Sequence, residues 1–319
     1  MSSRPACRND IRMTPIDRIF RTSYITNRSG PIEKRRCEVK HQEGFLKGVR
    51  GANIYFQNWL PEGDPKAVLL VVPGLAEHSG RYMNVVNHFV PLGYAVYGID
   101  HLGHGKSEGK RVYVKQFDDF TDPLKSYFDM ITRLEPGKPV FLLGHSLGGL
   151  IGVVYLLDHQ AELKGAVLSA PLIKPPGNVT PAAAFMSKVF SALLPKFGIL
   201  AFDRNGVSQD PAVVQAYVDD PLVYGGKITA RLTSEIGKAM QTIGSEANRI
   251  TLPILIVQGS ADSLVDPAGA RVLFDAVGSV DKEIKIYEGF YHEVFNEPGR
   301  ERVLRDVEAW LEAHLGSRK

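Results

Sequence analysis

The chain has 319 residues, which is long enough for one large α/β domain with an inserted subdomain. Hydrophobic residues make up 44% of it and charged residues 23%, a balance that excludes a disordered or fibrous protein. The formal net charge is +3, but residues 1–40 alone carry ten Lys or Arg against four Asp or Glu. The remainder is therefore net negative, which excludes a basic nucleic-acid-binding surface on the main body of the protein.

Residues 1–40 form a basic N-terminal extension, which we expect to be poorly ordered and solvated. Cys7 and Cys37 are too few for a disulfide framework and have no metal-ligand spacing. The extension lacks the apolar core of a secretory signal, which predicts a cytoplasmic protein, with an arginine-rich organellar transit segment as the alternative. The longest apolar stretch, residues 182–202, is interrupted by lysine, proline and glycine and is not expected to span a membrane.

The strands are predicted from two kinds of hydrophobic pattern. Residues 38–47 and 52–60 alternate in character and predict antiparallel strands at one edge of a sheet. Short continuous apolar runs then predict strands that are buried on both faces. These runs lie at residues 67–72, 94–99, 140–143, 165–168 and 254–257. Residues 284–287 alternate again, which predicts a strand near the other edge.

Segments with helical periodicity separate these strands, at residues 82–92, 117–134, 147–158, 267–277 and 299–314. Repeated alternation of strand and helix predicts a mostly parallel sheet with helices on both faces. This α/β core is expected over residues 41–171 and 249–319. The intervening residues 172–248 contain no buried strand but have helical stretches at 182–194 and 231–243. We expect this insertion to be a helical cap over the carboxyl ends of the strands, where ligands bind.

The motif Gly144-His145-Ser146-Leu147-Gly148 lies between a predicted buried strand and a helix. This context is typical of a nucleophile elbow, which places a serine on a tight strand-to-helix turn. Glycines two positions to either side allow the close backbone approach that the turn needs, and the helix N-terminus favours developing negative charge. Ser146 is therefore the predicted nucleophile of an α/β-hydrolase fold.

A serine nucleophile needs a base that is oriented by an acid. In this fold the acid and then the histidine follow the serine, each on a loop after a later strand. Asp262 follows the penultimate predicted strand, and His292 follows the last one. Asp266 is the alternative acid, but it precedes Pro267 and suits the start of a helix. The predicted catalytic triad is Ser146, Asp262 and His292.

The oxyanion of an acyl-transfer reaction is bound by two backbone N–H groups. One is predicted at Leu147, directly after the nucleophile. The other is predicted at Leu75, in the turn after the first buried strand, where Gly74 lets the turn come close. Pro73 cannot contribute, because proline has no N–H group.

Three histidines near these motifs have alternative interpretations. His101 and His104 could suggest metal ligation, but no third ligand falls at a suitable spacing. We therefore predict that their loop supports the active site, and we predict no metal. His145, inside the elbow, is predicted to be a packing and hydrogen-bonding neighbour rather than the base.

Several motifs resemble the monoacylglycerol lipases, especially the bacterial ones. They are residues 74–82, 100–109, 144–149 and 291–297, with a similar cap segment over 209–222. The resemblance runs from about residue 40 to the C-terminus and is more specific than the fold alone. Two features depart from the family pattern: Pro73 stands where the family usually has histidine, and the basic extension has no counterpart.

The resemblance implies hydrolysis of a lipid ester, a monoacylglycerol, to glycerol and a fatty acid without a cofactor. It implies the triad and oxyanion donors given above, and it assigns the glycerol-binding end of the site to Glu77, Arg81 and Tyr217. It also implies transient contact with a membrane surface through an apolar lip of the cap at residues 185–202. A carboxylesterase or lysophospholipase of the same fold is one alternative. A non-catalytic ligand-binding protein on the hydrolase scaffold is an alternative of another class.

Overall fold

A computed structural model describes residues 21–26, 38–175, 177 and 189–316. Within them, eleven strands are present. They are β1 (Arg21–Thr26), β2 (Glu38–Lys47), β3 (Asn53–Leu60), β4 (Ala67–Val72), β5 (Tyr94–Ile99), β6 (Val140–His145), β7 (Gly165–Ser169), β8 (Gly198–Leu200), β9 (Ile228–Thr229), β10 (Ile254–Gly259) and β11 (Lys282–Tyr287).

Nine of these strands form one central sheet in the order β1-β2-β3-β5-β4-β6-β7-β10-β11. The six strands from β5 to β11 in this order run parallel to one another. The strands β1, β2 and β3 pair antiparallel and form one edge, with β3 joined antiparallel to β5. The predicted mostly parallel sheet with an antiparallel edge is therefore confirmed.

Seven α-helices lie wholly within the described residues. They are α1 (Met83–Phe89), α2 (Asp118–Leu134), α3 (Leu147–His159), α4 (Pro211–Asp219), α5 (Ala230–Glu246), α6 (Ala268–Ala276) and α7 (Arg300–Leu315). Side chains of β4 show how the helices cover both faces. Leu70 belongs to the core that α2, α3 and α6 complete, whereas Leu69 and Val71 belong to the core completed by α1 and α7. Alternate side chains of a strand point to opposite faces, so helices lie on both sides of the sheet, as predicted.

The segment between β7 and β10 forms a cap that contains the short antiparallel pair β8–β9 together with α4 and α5. The helix predicted at residues 231–243 is observed as α5. Of the helix predicted at 182–194, residues 182–188 lie outside the described residues and residues 189–193 are helical. Thr229 fastens the cap to the core, because its hydroxyl donates to the Val112 carbonyl at 2.6 Å. In the described part of the chain, no helix has the length and apolar character needed to cross a membrane.

Part of the basic extension contributes to the sheet. The strand β1 pairs with β2 in a continuous register from Arg21 opposite Glu43 to Thr26 opposite Glu38. The hydrophobic pattern had predicted no strand there. The remaining residues of the extension up to position 37, including both cysteines, lie outside the described residues, and their expected poor order stays a prediction.

Candidate active site

Ser146 lies at the junction of β6 and α3 with a backbone conformation that is strained for a residue with a side chain. Its φ is 54° and its ψ is −118°, in a region that favours glycine. The backbone around it is held on both sides, because its N–H donates to the Ser169 carbonyl at 2.9 Å and its own carbonyl accepts from Leu150 and Leu172. Such strain persists only where neighbouring contacts fix it, which is characteristic of a nucleophile elbow.

The two glycines of the motif are required by close backbone contacts. A β-carbon on Gly148 would lie 2.0 Å from the Val72 carbonyl oxygen, and one on Gly144 would lie 2.5 Å from the Gly148 carbonyl oxygen. Both distances are shorter than any real carbon–oxygen contact of this kind. The elbow can therefore approach β4 and the first turn of α3 only with glycine at these positions.

Asp262 and His292 form a buried hydrogen-bonded pair. The Nδ1 atom of His292 donates to Oδ2 of Asp262 at 2.7 Å. The other carboxylate oxygen, Oδ1, accepts from the backbone N–H groups of Leu264 at 2.8 Å and Val265 at 3.1 Å. Gln258 adds a third support, since its side-chain amide donates to Oδ2 at 3.0 Å. The carboxylate is thus fixed in one orientation and in turn fixes the imidazole.

Opposing effects act on the protonation of this pair. Burial disfavours the imidazolium of His292, but the charge and hydrogen bond of Asp262 outweigh it and raise the pKa of His292 above its ordinary value. Burial likewise disfavours the carboxylate of Asp262. The charge and hydrogen bond of His292 and the two backbone donors nevertheless lower the pKa of Asp262. An ionised Asp262 beside His292 is the arrangement in which the imidazole works as a general base.

His292 lies beside the elbow. Its ring centroid is 4.7 Å from that of His145, whose Nδ1 is 3.2 Å from the Ser169 hydroxyl. Burial lowers the pKa of His145 to about 4, so that this ring is neutral at ordinary pH and acts as a packing neighbour. In the part of the chain that the structure describes, no hydrogen bond joins the Ser146 hydroxyl to His292. Catalytic hydrogen bonds often become short only when substrate is bound.

The turn after β4 lies directly beside Ser146. A β-carbon on Gly74 would be 3.2 Å from the Ser146 β-carbon. The Gly74 N–H donates to Oε1 of Glu77 at 2.5 Å, so it is not free to bind an oxyanion. Among the described backbone hydrogen bonds outside regular elements, neither Leu75 nor Leu147 is a donor. These two N–H groups are the predicted oxyanion donors, and that role stays a prediction.

Two further contacts hold this turn from outside. The imidazole Nε2 of His101 donates to the Pro73 carbonyl at 3.0 Å. The backbone N–H of Tyr224, a cap residue, donates to the Ala76 carbonyl at 2.8 Å. Ala76 itself has a φ of 65°, a left-handed conformation that the surrounding contacts must maintain. This turn, residues 73–78, is thus held jointly by the core and the cap. We call it the oxyanion turn, after its predicted role.

Comparison with known proteins agrees with this geometry. The sequence pattern of the family described as "Serine aminopeptidase, S33" matches residues 63–299. The chain belongs to this family. The monoacylglycerol lipase of Mycolicibacterium smegmatis is 38% identical over 86% of this chain and 98% of its own length. The human monoglyceride lipase is 33% identical over 83% of this chain and 89% of its own.

Solved structures show the same likeness. The crystal structure of Paleococcus ferrophilus monoacylglycerol lipase has a TM-score of 0.74 and 31% identity, covering 82% of this chain and 99% of that one. A soluble variant of monoglyceride lipase from Saccharomyces cerevisiae, in complex with a substrate analog, has a TM-score of 0.76 at 21% identity. At that identity it supports the fold alone. The predicted resemblance to monoacylglycerol lipases and the predicted α/β-hydrolase fold are both confirmed.

The structure also brings together the three residues predicted at the glycerol end of the site. Arg81 donates to Oε2 of Glu77 at 3.0 Å, and its guanidinium lies 4.3 Å from the centroid of the Tyr217 ring. Glu77 is only 4% exposed, and its Oε1 also accepts from the Tyr82 hydroxyl at 2.7 Å. Both oxygens of Glu77 are therefore occupied within the protein. The substrate-binding role of these residues stays a prediction.

The candidate active site contains two contacts that the sequence analysis did not predict. Glu293, directly after His292, is buried and forms a bidentate ion pair with Arg81, with one of its two bonds at 2.8 Å. His78 donates through Nε2 to the Asp220 carboxylate at 2.8 Å, which joins the turn after β4 to the cap. Both pairs join segments far apart in the sequence. The sequence shows only that a charged residue follows the predicted base, and it does not indicate the partner of that residue.

The loop after β5 contacts the turn after β4. His101 reaches the oxyanion turn as described, while the Nδ1 atom of His104 donates to the Leu102 carbonyl at 3.0 Å. Burial lowers the pKa of His101 to about 3 and that of His104 to about 4, so both are neutral at ordinary pH. Over the described residues, no group of three or more His, Cys, Asp or Glu side chains is arranged to hold a metal ion.

Proposed function

We propose that this protein hydrolyses monoacylglycerols to glycerol and free fatty acid through an acyl-enzyme on Ser146. The buried pair of Asp262 and His292 beside the strained Ser146 is the observation that carries the proposal. The family description refers to an aminopeptidase, whereas the similar proteins above are named as lipases over nearly their whole length. An ester substrate is therefore preferred to a peptide.

In the proposed first half-reaction, His292 takes the proton of the Ser146 hydroxyl through Nε2 as the serine oxygen attacks the ester carbonyl. The resulting oxyanion accepts hydrogen bonds from the N–H groups of Leu75 and Leu147. The imidazolium is stabilised by Asp262, and it then gives its proton to the departing glycerol oxygen. The products of this half are glycerol and an acyl ester of Ser146.

In the second half-reaction, His292 takes a proton from a water molecule, whose oxygen attacks the acyl ester. The same two N–H groups bind the second oxyanion. Its collapse breaks the bond to Ser146, which recovers its proton from the imidazolium, and releases the fatty acid. No group beyond the triad, the two N–H donors and water is needed to balance either step.

The proposal predicts that fatty acid is released from monoacylglycerols and not from diacylglycerols or triacylglycerols. The measurement is titration of released fatty acid from glycerides of several chain lengths, with a lysophospholipid and a short aryl ester in parallel. Cleavage of the lysophospholipid or the aryl ester without cleavage of any glyceride would support the alternative esterase. Absence of cleavage together with absence of labelling by a fluorophosphonate would support a non-catalytic binding protein.

The second part of the proposal is that the protein is cytoplasmic and contacts a membrane through its cap. It is supported by large apolar side chains of the cap that are at least half exposed. These are Leu193, Leu194, Phe197 and Leu200. Exposed apolar patches of this kind mark lipid or protein contacts. A protein bound to a bilayer through such a surface would have access to a substrate dissolved in that bilayer.

Membrane contact is tested by flotation with phosphatidylcholine vesicles. Leu193→Ser with Phe197→Ser should lower the vesicle-bound fraction severalfold, because it removes two side chains that are 74% and 57% exposed. The matched control is Val272→Ser with Val280→Ser, two exposed apolar residues outside the cap. Equal binding by both double variants and the unchanged protein would contradict cap-mediated contact.

A further inference from the structure

Arg81 connects the turn after β4 with the loop that carries His292. On one side it binds Glu77, whose Oε1 accepts from the Gly74 N–H of the oxyanion turn. On the other side its guanidinium forms a bidentate pair with Glu293, the residue after His292. The side chain of Arg81 is 9% exposed, and those of Glu77 and Glu293 are each 5% exposed. The geometry of the oxyanion turn and that of the base are therefore tied to one buried cation.

Glu293 has two further contacts besides the pair with Arg81. The Nδ2 atom of Asn296 donates to its Oε2 at 2.8 Å, and its backbone N–H donates to the Val207 carbonyl of the cap at 2.8 Å. Burial disfavours the carboxylate, but the charge and hydrogen bond of Arg81 outweigh burial and lower the pKa of Glu293. It is therefore ionised whenever the enzyme works.

The cluster carries an excess of negative charge next to His292. Two carboxylates, those of Glu77 and Glu293, share the single guanidinium of Arg81. A buried negative charge favours the imidazolium that His292 becomes during each half-reaction, and it acts strongly because little water screens it. Asp262, Glu293 and Glu77 act on His292 with negative charge, His145 is the titratable ring beside it, and Arg81 is the cation that binds both glutamates.

We propose that Glu293 is a positioning residue of the reaction, which through Arg81 holds the loop of His292 against the oxyanion turn and favours the imidazolium of His292. Asp262 orients the imidazole from the Nδ1 side, and Glu293 supplies a second negative charge from the loop itself. The inference rests on the proposed function, because it assigns His292 as the general base.

The test is the pH dependence of kcat/KM for a soluble aryl ester. Activity requires neutral imidazole, so its acidic limb follows the pKa of His292 in the free enzyme. The charge of Glu293 raises that pKa, and Glu293→Gln removes the charge while keeping the size of the side chain. The acidic limb should therefore move to lower pH, and kcat on the plateau should fall about tenfold.

A second variant at position 293 separates the effect of charge from that of side-chain length, and a variant at another residue serves as control. Glu293→Asp keeps the charge but shortens the side chain, so kcat should fall while the acidic limb stays where it is. Glu297→Gln is the matched control, because Glu297 is a buried carboxylate on the same loop that binds the Gln209 side chain and backbone of the cap. Its acidic limb should match that of the unchanged protein.

An acidic limb that does not move in folded Glu293→Gln, or that moves equally in Glu297→Gln, would overturn the proposal. If Glu293→Gln does not fold, as judged by thermal melting, an unchanged kcat in Glu293→Asp would overturn it instead. The rate of fluorophosphonate labelling over the same pH range gives a readout that needs no glyceride substrate. Failure to cleave monoacylglycerols would thus refute the proposed substrate while leaving the role of Glu293 open to test.

Discussion

Ser146→Ala is expected to lower ester hydrolysis by about 10⁶-fold. The hydroxyl oxygen is the atom that forms the acyl-enzyme, and no neighbouring side chain can replace it in the strained turn between β6 and α3. Alanine fits the same backbone without a new contact, so the melting temperature should stay nearly unchanged. The measurement is hydrolysis of a soluble aryl ester, with mass spectrometry of the fluorophosphonate adduct.

Ser126→Ala is the matched control, because Ser126 lies exposed on α2 and donates only to the Asp122 carbonyl of its own helix. It should retain full hydrolysis and labelling. Retained hydrolysis in Ser146→Ala would show that the nucleophile has been assigned wrongly. A fluorophosphonate adduct on any other residue would lead to the same conclusion.

Asp262→Asn should lower kcat by about 10⁴-fold. The carboxylate accepts the Nδ1 proton of His292 at 2.7 Å, which leaves Nε2 of the imidazole free to take a proton from Ser146. An amide at this position can present its own N–H to Nδ1, which favours the tautomer that cannot act as the base. The measurement is kcat for the aryl ester, together with thermal melting to check that the variant folds.

Asp266→Asn tests the alternative acid under the same conditions. Asp266 binds Lys174 at 2.6 Å and accepts from the Ala268 N–H at the start of α6, and in the described part of the chain it has no hydrogen bond to His292. Its replacement should change kcat less than twofold, because exposed ion pairs contribute little. A larger loss of kcat in Asp266→Asn than in Asp262→Asn would reverse the assignment.

The fold of this protein could be predicted from sequence because its signals are local. Buried parallel strands are short apolar runs, and each is followed by a helical segment. The elbow is equally local, since Gly144 and Gly148 surround Ser146 within five residues. Asp262 and His292 could be found because the fold fixes their order along the chain and their place after later strands.

The contacts that sequence reasoning missed all depend on distant segments meeting. Arg81 and Glu293 are separated by more than two hundred residues, and nothing in either segment alone indicates the other. The contact of Asp220 with His78 depends on how the cap sits on the core, which hydrophobic periodicity does not describe. The strand β1 is a polar edge strand with little apolar pattern, so composition suggested poor order instead.

The hydrogen bond from Tyr224 to the Ala76 carbonyl has a consequence for engineering. Cap segments of such hydrolases are attractive parts to exchange when a different substrate range is wanted. Here a donor from the cap backbone maintains a left-handed residue one position after Leu75. A chimera with a foreign cap must therefore supply a donor at the place of Tyr224, or it will change the rate of the chemistry along with the choice of substrate.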